Sequence, residues 1–153
     1  MRLQLRVAPV AVLLVTALLM AVTAWAVPAL AFVRLPYQAL VACGFAFVGA
    51  ATSILGVLSF RRAGTTVNPL KPDTSSALVR SGVYKLTRNP MYLGFLMLLI
   101  GWGIYLSNAV ALLFVPIFHM YINRFQIEPE ERALTSRFGQ EFIEYTTRVR
   151  RWL

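Results

Sequence analysis

Two long apolar runs constrain the fold of this chain more than any other feature. The first covers about residues 7–30 and the second about residues 37–60. A helix of roughly 20 apolar residues crosses the ~30 Å hydrocarbon layer of a membrane, so each run predicts one transmembrane helix. Only 14% of the residues are charged, which is well below the share in soluble domains. We therefore expect an all-α integral membrane protein.

Two shorter apolar runs follow at about residues 91–106 and 109–123, and only Ser107 and Asn108 separate them. This pattern predicts a short helical hairpin. At about 1.5 Å per residue each arm is slightly short for the hydrocarbon layer, so the hairpin crosses where the bilayer thins or where polar side chains reach the headgroups. The predicted architecture is four transmembrane helices in a single membrane domain, residues 1–153.

The distribution of positive charge predicts the orientation of these helices. The chain has 15 Lys and Arg against 6 Asp and Glu, and only Arg34 lies between the first and second runs. The others lie on the opposite side of a four-span protein, and positively charged loops stay in the cytoplasm. Both termini are therefore expected there, in a bacterial inner membrane. A cleaved signal peptide at the N-terminus is the alternative.

The net charge of +9 bears on the partners of the chain. In a membrane protein such a charge is explained by anionic lipid headgroups rather than by nucleic acid, so no nucleic-acid partner is expected. The sequence has one Cys, Cys43, and one His, His119, which cannot form a zinc site of the usual composition. No metal is expected, and paired ligands for a redox centre are lacking. A function for His119, which shares a helix face with Asn123, is left open.

Two polar segments remain, the cytoplasmic loop at residues 61–90 and the C-terminal segment at residues 128–153. A loop of this length between helices is more often functional than not. The C-terminal segment starts with Glu128-Pro129-Glu130-Glu131, as helices often do, and its apolar residues then recur at about helical spacing with a break at Gly139. It predicts an amphipathic cytoplasmic helix that ends in basic and aromatic residues suited to the membrane interface.

Four segments in this order carry a resemblance to a known family. The chain reads GVYKLTRNPMYLG at residues 82–94, GWG at residues 101–103, NRFQIEPEERAL at residues 123–134 and FGQEFIEYTTRVRRWL at residues 138–153. Over about residues 64–153 it resembles the isoprenylcysteine carboxyl methyltransferase and phospholipid methyltransferase superfamily. The resemblance implies an enzyme that uses S-adenosylmethionine from the cytoplasmic side, releases S-adenosylhomocysteine, and methylates a lipophilic or small apolar acceptor presented from the lipid bilayer.

The resemblance also implies site residues. Arg88, Asn89 and Tyr92 match an Arg-His-Pro-x-Tyr motif, Gly101 and Gly103 match a Gly-x-Gly element, and Glu130 and Glu131 match a Glu-Glu pair. Asn89 stands where the prenylcysteine enzymes usually have His, and Asn cannot be protonated. This departure weakens the prediction of a prenylcysteine substrate.

The chemistry of S-adenosylmethionine independently suits these residue types. Its carboxylate calls for Arg, its ammonium and ribose diol for carboxylates, and its sulfonium for aromatic faces. The predicted cofactor-binding residues are Tyr84, Lys85, Arg88, Asn89, Tyr92, Gly101, Gly103, Glu130 and Glu131. The predicted catalytic residues are Asn123, Arg124 and Glu131, of which Glu131 is the candidate base for an amine acceptor.

Several alternatives stay open from the sequence. The acceptor is a prenylcysteine-type carboxylate, a phospholipid amine or a small thiol. A non-catalytic membrane scaffold or transporter subunit is the alternative from another functional class. In that case Arg88 and Lys85 serve as cytoplasmic anchors, Glu130 and Glu131 start a helix, and Gly101 and Gly103 pack helices.

Overall fold

The computed structural model describes residues 7–31, 36–64 and 76–153. Within these ranges the chain forms seven α-helices: α1 (Pro9–Ala26), α2 (Gln38–Arg62), α3 (Pro90–Leu106), α4 (Ala109–Leu112), α5 (Phe114–Ile122), α6 (Glu128–Phe138) and α7 (Gln140–Arg148). Short 3-10 helices cover Pro28–Leu30 and Gly82–Lys85, and a turn of π-helix covers Asn123–Ile127. The cations Arg2, Arg6, Arg34 and Lys71, and residues 65–75 of the predicted cytoplasmic loop, lie outside the described residues.

Three helical segments of the described chain are long and apolar enough to cross a membrane. They are α1, α2 and the continuous run Ala109–Phe138, in which α4, α5, the π turn and α6 follow one another. α3 is also apolar but has 17 residues. The prediction of an all-α membrane protein is confirmed at this level, whereas the count of four crossings and the orientation stay predictions.

The joint between the fourth apolar run and the C-terminal segment differs from a simple helix end. The helix continues from α5 into α6 through the π turn, which immediately precedes Glu128 and Pro129. Pro129 lacks the N–H that an α-helix would donate to the carbonyl of residue 125, and a wider turn accommodates that loss. The C-terminal segment then divides into α6 and α7 at Gly139, whose φ is 52°.

Close contact between α2 and α3 forms the centre of the bundle. A Cβ atom built on Gly49 would lie 2.6 Å from the carbonyl oxygen of Gly94, and one built on Gly101 would lie 2.8 Å from that of Ala42. Only hydrogen fits at these positions, so the two backbones approach each other closely. α1 packs on the same bundle, where the indole of Trp102 donates a hydrogen bond to the Ala17 carbonyl at 3.0 Å.

The turn between α3 and α4 is fixed by its own side chains. Asn108 accepts hydrogen bonds from the backbone N–H groups of Val110 and Ala111, which caps α4. Its side-chain amide donates to the Val27 carbonyl at 2.9 Å, just beyond α1. At the opposite end of the bundle, the buried Gln126 donates to the Val7 carbonyl at 2.6 Å. The candidate site lies at this second end.

Candidate functional site

A pocket lies where α2 ends, α3 begins and α6 meets α7. It is lined by Phe60, Ala77, Leu78, Val79, Tyr84, Arg88, Asn89, Met91, Tyr92, Glu130, Glu131, Leu134, Phe142 and Tyr145. Six of these, Tyr84, Arg88, Asn89, Tyr92, Glu130 and Glu131, are predicted site residues. They meet because the hairpin of α3, α4 and α5 returns the chain to the end at which α3 began.

Glu131 is the centre of an ion-pair cluster at the pocket wall. Its Oε1 lies 3.0 Å from a terminal nitrogen of Arg88. Its Oε2 lies 2.5 Å from a terminal nitrogen of Arg151, and the Nε–H of Arg151 donates to Oε1 at 3.2 Å. Arg151 therefore holds the carboxylate with two parallel hydrogen bonds, whereas Arg88 holds it with one nitrogen.

Arg88 keeps an unused donor in this arrangement. Its Nε atom is buried and has no hydrogen-bond partner among the described residues. A buried donor without a partner carries a desolvation cost of about 1–3 kcal/mol. A ligand with an acidic group in the pocket would supply the missing acceptor.

The second carboxylate, Glu130, faces the aromatic side of the pocket. The hydroxyl of Tyr92 donates a hydrogen bond to its Oε1. Tyr84 is also buried, and its ring meets that of Phe60 edge-on at 5.4 Å. Burial, followed by the nearby charge of Glu130, raises the pKa of the Tyr84 hydroxyl far above its usual range. That hydroxyl therefore stays protonated at physiological pH.

α7 closes the pocket through Phe142 and Tyr145, which are both buried. The Tyr145 hydroxyl donates to the backbone carbonyl of Tyr84 at 2.6 Å. Burial raises the pKa of Tyr145 to about 12, although the positive charges of Arg88 and Arg80 oppose the shift. Tyr145 therefore remains a hydrogen-bond donor and fixes the 3-10 helix on which Tyr84 lies.

The C-terminal strap (residues 150–152) lies across the site. The carbonyl of Arg150 accepts a hydrogen bond from the backbone N–H of Arg88 at 3.0 Å. The carbonyl of Arg151 accepts from the Thr87 hydroxyl at 3.2 Å and from the Asn89 side chain at 2.9 Å. Asn89 thus contacts the strap and also lines the pocket.

Trp152 anchors the other side of the strap. Its indole N–H donates to the side-chain oxygen of Asn123 at 3.1 Å, and its ring centroid lies 4.7 Å from that of His119. The predicted residue Asn123 is therefore placed under Trp152 and outside the pocket lining. His119, whose role was left open, belongs to this same contact.

The other predicted site residues do not line the pocket. Lys85 is exposed, and the exposed Arg124 pairs with Glu128 at 2.6 Å. Gly101 follows Tyr92 by nine residues, about 14 Å along α3, and contacts α2. A Cβ built on Gly103 would lie 3.1 Å from the Met20 side chain. The geometry gives both glycines a helix-packing contact.

Sequence reasoning missed Arg151 and Tyr145 as residues of the site. The basic and aromatic tail suited the membrane interface, yet Arg151 is turned towards Glu131. Neither spacing nor composition separates Arg151 from its exposed neighbour Arg150. The sequence did contain one signal for Arg151. Glu131 is a carboxylate of the predicted cofactor site, and fewer cations were predicted at that site than the C-terminal tail contains.

A second concavity runs along α2 and α3 on the outer surface of the bundle. This α2–α3 groove is lined by Ser53, Ile54, Val57, Leu58, Arg61, Met91 and Phe95. Met91 lines both the groove and the pocket. Met91 therefore lies at the junction of the pocket and the mostly apolar groove.

Comparison with known proteins assigns the family. The model of the family described as phospholipid methyltransferase matches residues 37–141, which include the α2–α3 groove and all of the pocket lining except Phe142 and Tyr145. The chain belongs to the phospholipid methyltransferase family. No solved structure is significantly similar to it.

Individual relatives of this phospholipid methyltransferase family member cover parts of the chain. It is 35% identical over 80 residues to the protein-S-isoprenylcysteine O-methyltransferase of Saccharomyces cerevisiae, a match covering 52% of this chain and 33% of the relative. It is 30% identical over 96 residues to protein-S-isoprenylcysteine O-methyltransferase B of Arabidopsis thaliana, covering 61% and 47% respectively. An uncharacterized Haemophilus influenzae protein is 49% identical over 63 residues, covering 41% of this chain and 100% of that protein.

The two named relatives are longer than the matched region, since the match spans a third to about half of their length. The resemblance seen in the sequence motifs is confirmed by the family match and by these names. Among the described residues, no group of three His, Cys, Asp or Glu side chains is placed to hold a metal ion.

Proposed function

We propose that this chain is a membrane methyltransferase that uses S-adenosylmethionine and methylates a lipid-like acceptor. One observation carries the proposal: the buried Nε of Arg88 has no partner among the described residues, in a pocket also lined by Glu130, Glu131 and three tyrosines. This set has the groups that an amino-acid tail and a sulfonium cation require.

The residues fit S-adenosylmethionine group by group. Arg88 would bind the carboxylate of the amino-acid tail, and Glu130 and Glu131 would receive the ammonium and the ribose diol. Tyr84 and Tyr92 would offer aromatic surface to the sulfonium. When bound, S-adenosylmethionine supplies an already activated methyl group. The chain therefore needs to align the two substrates and exclude water, and the apolar Leu134 and Phe142 in the pocket wall support the second task.

The acceptor would reach this site from the bilayer. The α2–α3 groove is mostly apolar and meets the pocket at Met91, so an apolar chain in the groove would bring its polar head to the donor. The names of the curated relatives support an isoprenylcysteine-type acceptor. Both Glu131 oxygens already accept hydrogen bonds from arginine, which supports an acceptor that carries its own negative charge, such as a carboxylate or thiolate.

Binding of S-adenosylhomocysteine, measured by calorimetry on the full chain in lipid nanodiscs, tests the proposal. We expect micromolar affinity for the wild type and a loss of at least about tenfold in Arg88→Ala. Arg148→Ala is the matched control, because Arg148 is exposed and does not line the pocket; its affinity should be unchanged. Folded wild type without binding would refute the proposal and favour the non-catalytic membrane scaffold.

A further inference from the structure

We propose that Arg151 is a positioning residue, which holds Glu131 so that Arg88 remains available to the carboxylate of the methyl donor. This inference rests on the proposed function. It assigns a role to the C-terminal strap, in which no site residue was predicted from the sequence. Arg88 and Arg151 bind the carboxylate of Glu131 in different ways, and this difference supports the inference.

The two guanidinium groups bind Glu131 with different numbers of nitrogens. Arg151 presents Nε and a terminal nitrogen to the two oxygens of Glu131, at 3.2 and 2.5 Å. Arg88 reaches Oε1 with a terminal nitrogen at 3.0 Å, and its Nε lacks a partner among the described residues. The edge formed by Nε and a terminal nitrogen is one that binds a carboxylate with two parallel hydrogen bonds. On Arg88 the terminal nitrogen of this edge contacts Glu131 but Nε does not, so the two-nitrogen pair is not formed with Glu131.

Removal of the Arg151 guanidinium would change which nitrogens bind the Glu131 carboxylate. Glu131 is mostly buried, since 20% of its side chain is exposed, so it would need another cation. Arg88 is the cation already in contact with it. Arg88 would then turn its two-nitrogen edge towards Glu131 and would no longer offer that edge to a ligand carboxylate. Arg151 thus maintains the binding-competent state of Arg88 without touching the donor itself.

The position of Arg151 is set by its backbone and by its neighbour. Its carbonyl accepts hydrogen bonds from Thr87 and Asn89, and Trp152 is bonded to Asn123. These contacts do not involve the Arg151 side chain. A substitution of the side chain therefore leaves the path of the strap intact, which makes the role of the guanidinium separable from that of the strap.

The test compares Arg151→Ala and Arg151→Lys with the wild type and with the Arg148→Ala control, using the full chain. Three quantities are measured: the Kd for S-adenosylhomocysteine by calorimetry, KM and kcat for S-adenosylmethionine, and the unfolding temperature. We expect Arg151→Ala to raise both Kd and KM by about tenfold, with a smaller change in kcat. Arg151→Lys, which keeps the charge but cannot form the two-nitrogen pair, should lie between it and the wild type.

Each other outcome has a definite meaning. Wild-type Kd in Arg151→Ala would overturn the positioning role while leaving the proposed function in place, whereas absence of binding by the wild type would overturn the proposed function. If KM is unchanged and kcat falls only in proportion to the loss of folded protein, the role of Arg151 is structural. That result would also overturn the inference. If Arg151→Ala does not fold, Arg151→Lys decides, and a wild-type Kd in that variant would refute the inference.

Discussion

Tyr92 and Glu130 join α3 to α6 inside the pocket, where the phenolic hydroxyl donates a hydrogen bond to Oε1 of the carboxylate. The residues are 38 positions apart in the chain, and Tyr92 is only 3% exposed. A carboxylate removed from water needs such a donor, because an unpaired buried acceptor is costly. The bond therefore links the stability of the hairpin to the arrangement of the site.

Replacement of Tyr92 by Phe should lower the stability of the protein and weaken ligand binding at the site. The ring remains, but Glu130 loses its donor, so we expect about 1–3 kcal/mol of lost stability and weaker S-adenosylhomocysteine binding. Denaturant unfolding in mild detergent and calorimetry measure the two effects. Tyr105→Phe is the matched control, because Tyr105 is 56% exposed and should show neither effect. Equal stability of the two variants would contradict a stabilising role for the Tyr92 hydroxyl.

Glu128 and Glu131 lie on the same turn of α6, so a comparison of their variants distinguishes a role in the pocket from a role at the surface. Glu131 binds Arg88 and Arg151, whereas Glu128 pairs with Arg124, whose side chain is 65% exposed. Charge-assisted bonds at a mostly buried site are worth about 1.5–3 kcal/mol, and exposed pairs about 0–1 kcal/mol. We expect Glu131→Gln to raise the Kd for S-adenosylhomocysteine by at least about tenfold, with little change in Glu128→Gln. The same Kd in both variants would argue against the ion-pair cluster as part of the site.

Much of the fold can be predicted from the sequence, because the position and length of each apolar run predict where a membrane-type helix forms. The runs predicted at about residues 37–60 and 91–106 correspond to α2 (Gln38–Arg62) and α3 (Pro90–Leu106). The meeting of Arg88 with Glu131 follows as well, since a hairpin returns the chain to the side from which it started. The end of the fourth run was less predictable, because the π turn carries the helix past Pro129 into α6.

The contacts of the C-terminal strap could not be predicted from sequence. Arg150 and Arg151 have the same side chain and adjacent positions, so every rule based on composition treats them alike. What distinguishes them is that the Arg151 guanidinium binds Glu131, 20 positions away, whereas Arg150 is exposed. Such pairing is tertiary and leaves no local pattern.

The α2–α3 groove provides a test of the acceptor route. Val57 lines the groove, and Leu55 on the same helix is 50% exposed and outside it. We expect Val57→Trp to raise KM for a lipid-like acceptor several-fold by filling the groove, without changing the Kd for S-adenosylhomocysteine. Leu55→Trp should change neither. Methyl transfer from labelled donor to a farnesylated cysteine analogue is the assay, and an unchanged acceptor KM in Val57→Trp would refute entry through this groove.

Gly101 tests whether the glycine pair in α3 packs helices or binds the cofactor. A Cβ at Gly101 would lie 2.8 Å from the Ala42 carbonyl oxygen and 3.0 Å from the Phe45 Cβ, so Gly101→Ala must push α2 and α3 apart. We expect about 1–3 kcal/mol of destabilisation in denaturant unfolding and an unchanged Kd for S-adenosylhomocysteine in the protein that remains folded. Gly44→Ala is the control, because a Cβ at Gly44 meets no atom within 4 Å, and alanine favours the helix. Loss of binding in stable, folded Gly101→Ala would instead support the cofactor role that the resemblance implies.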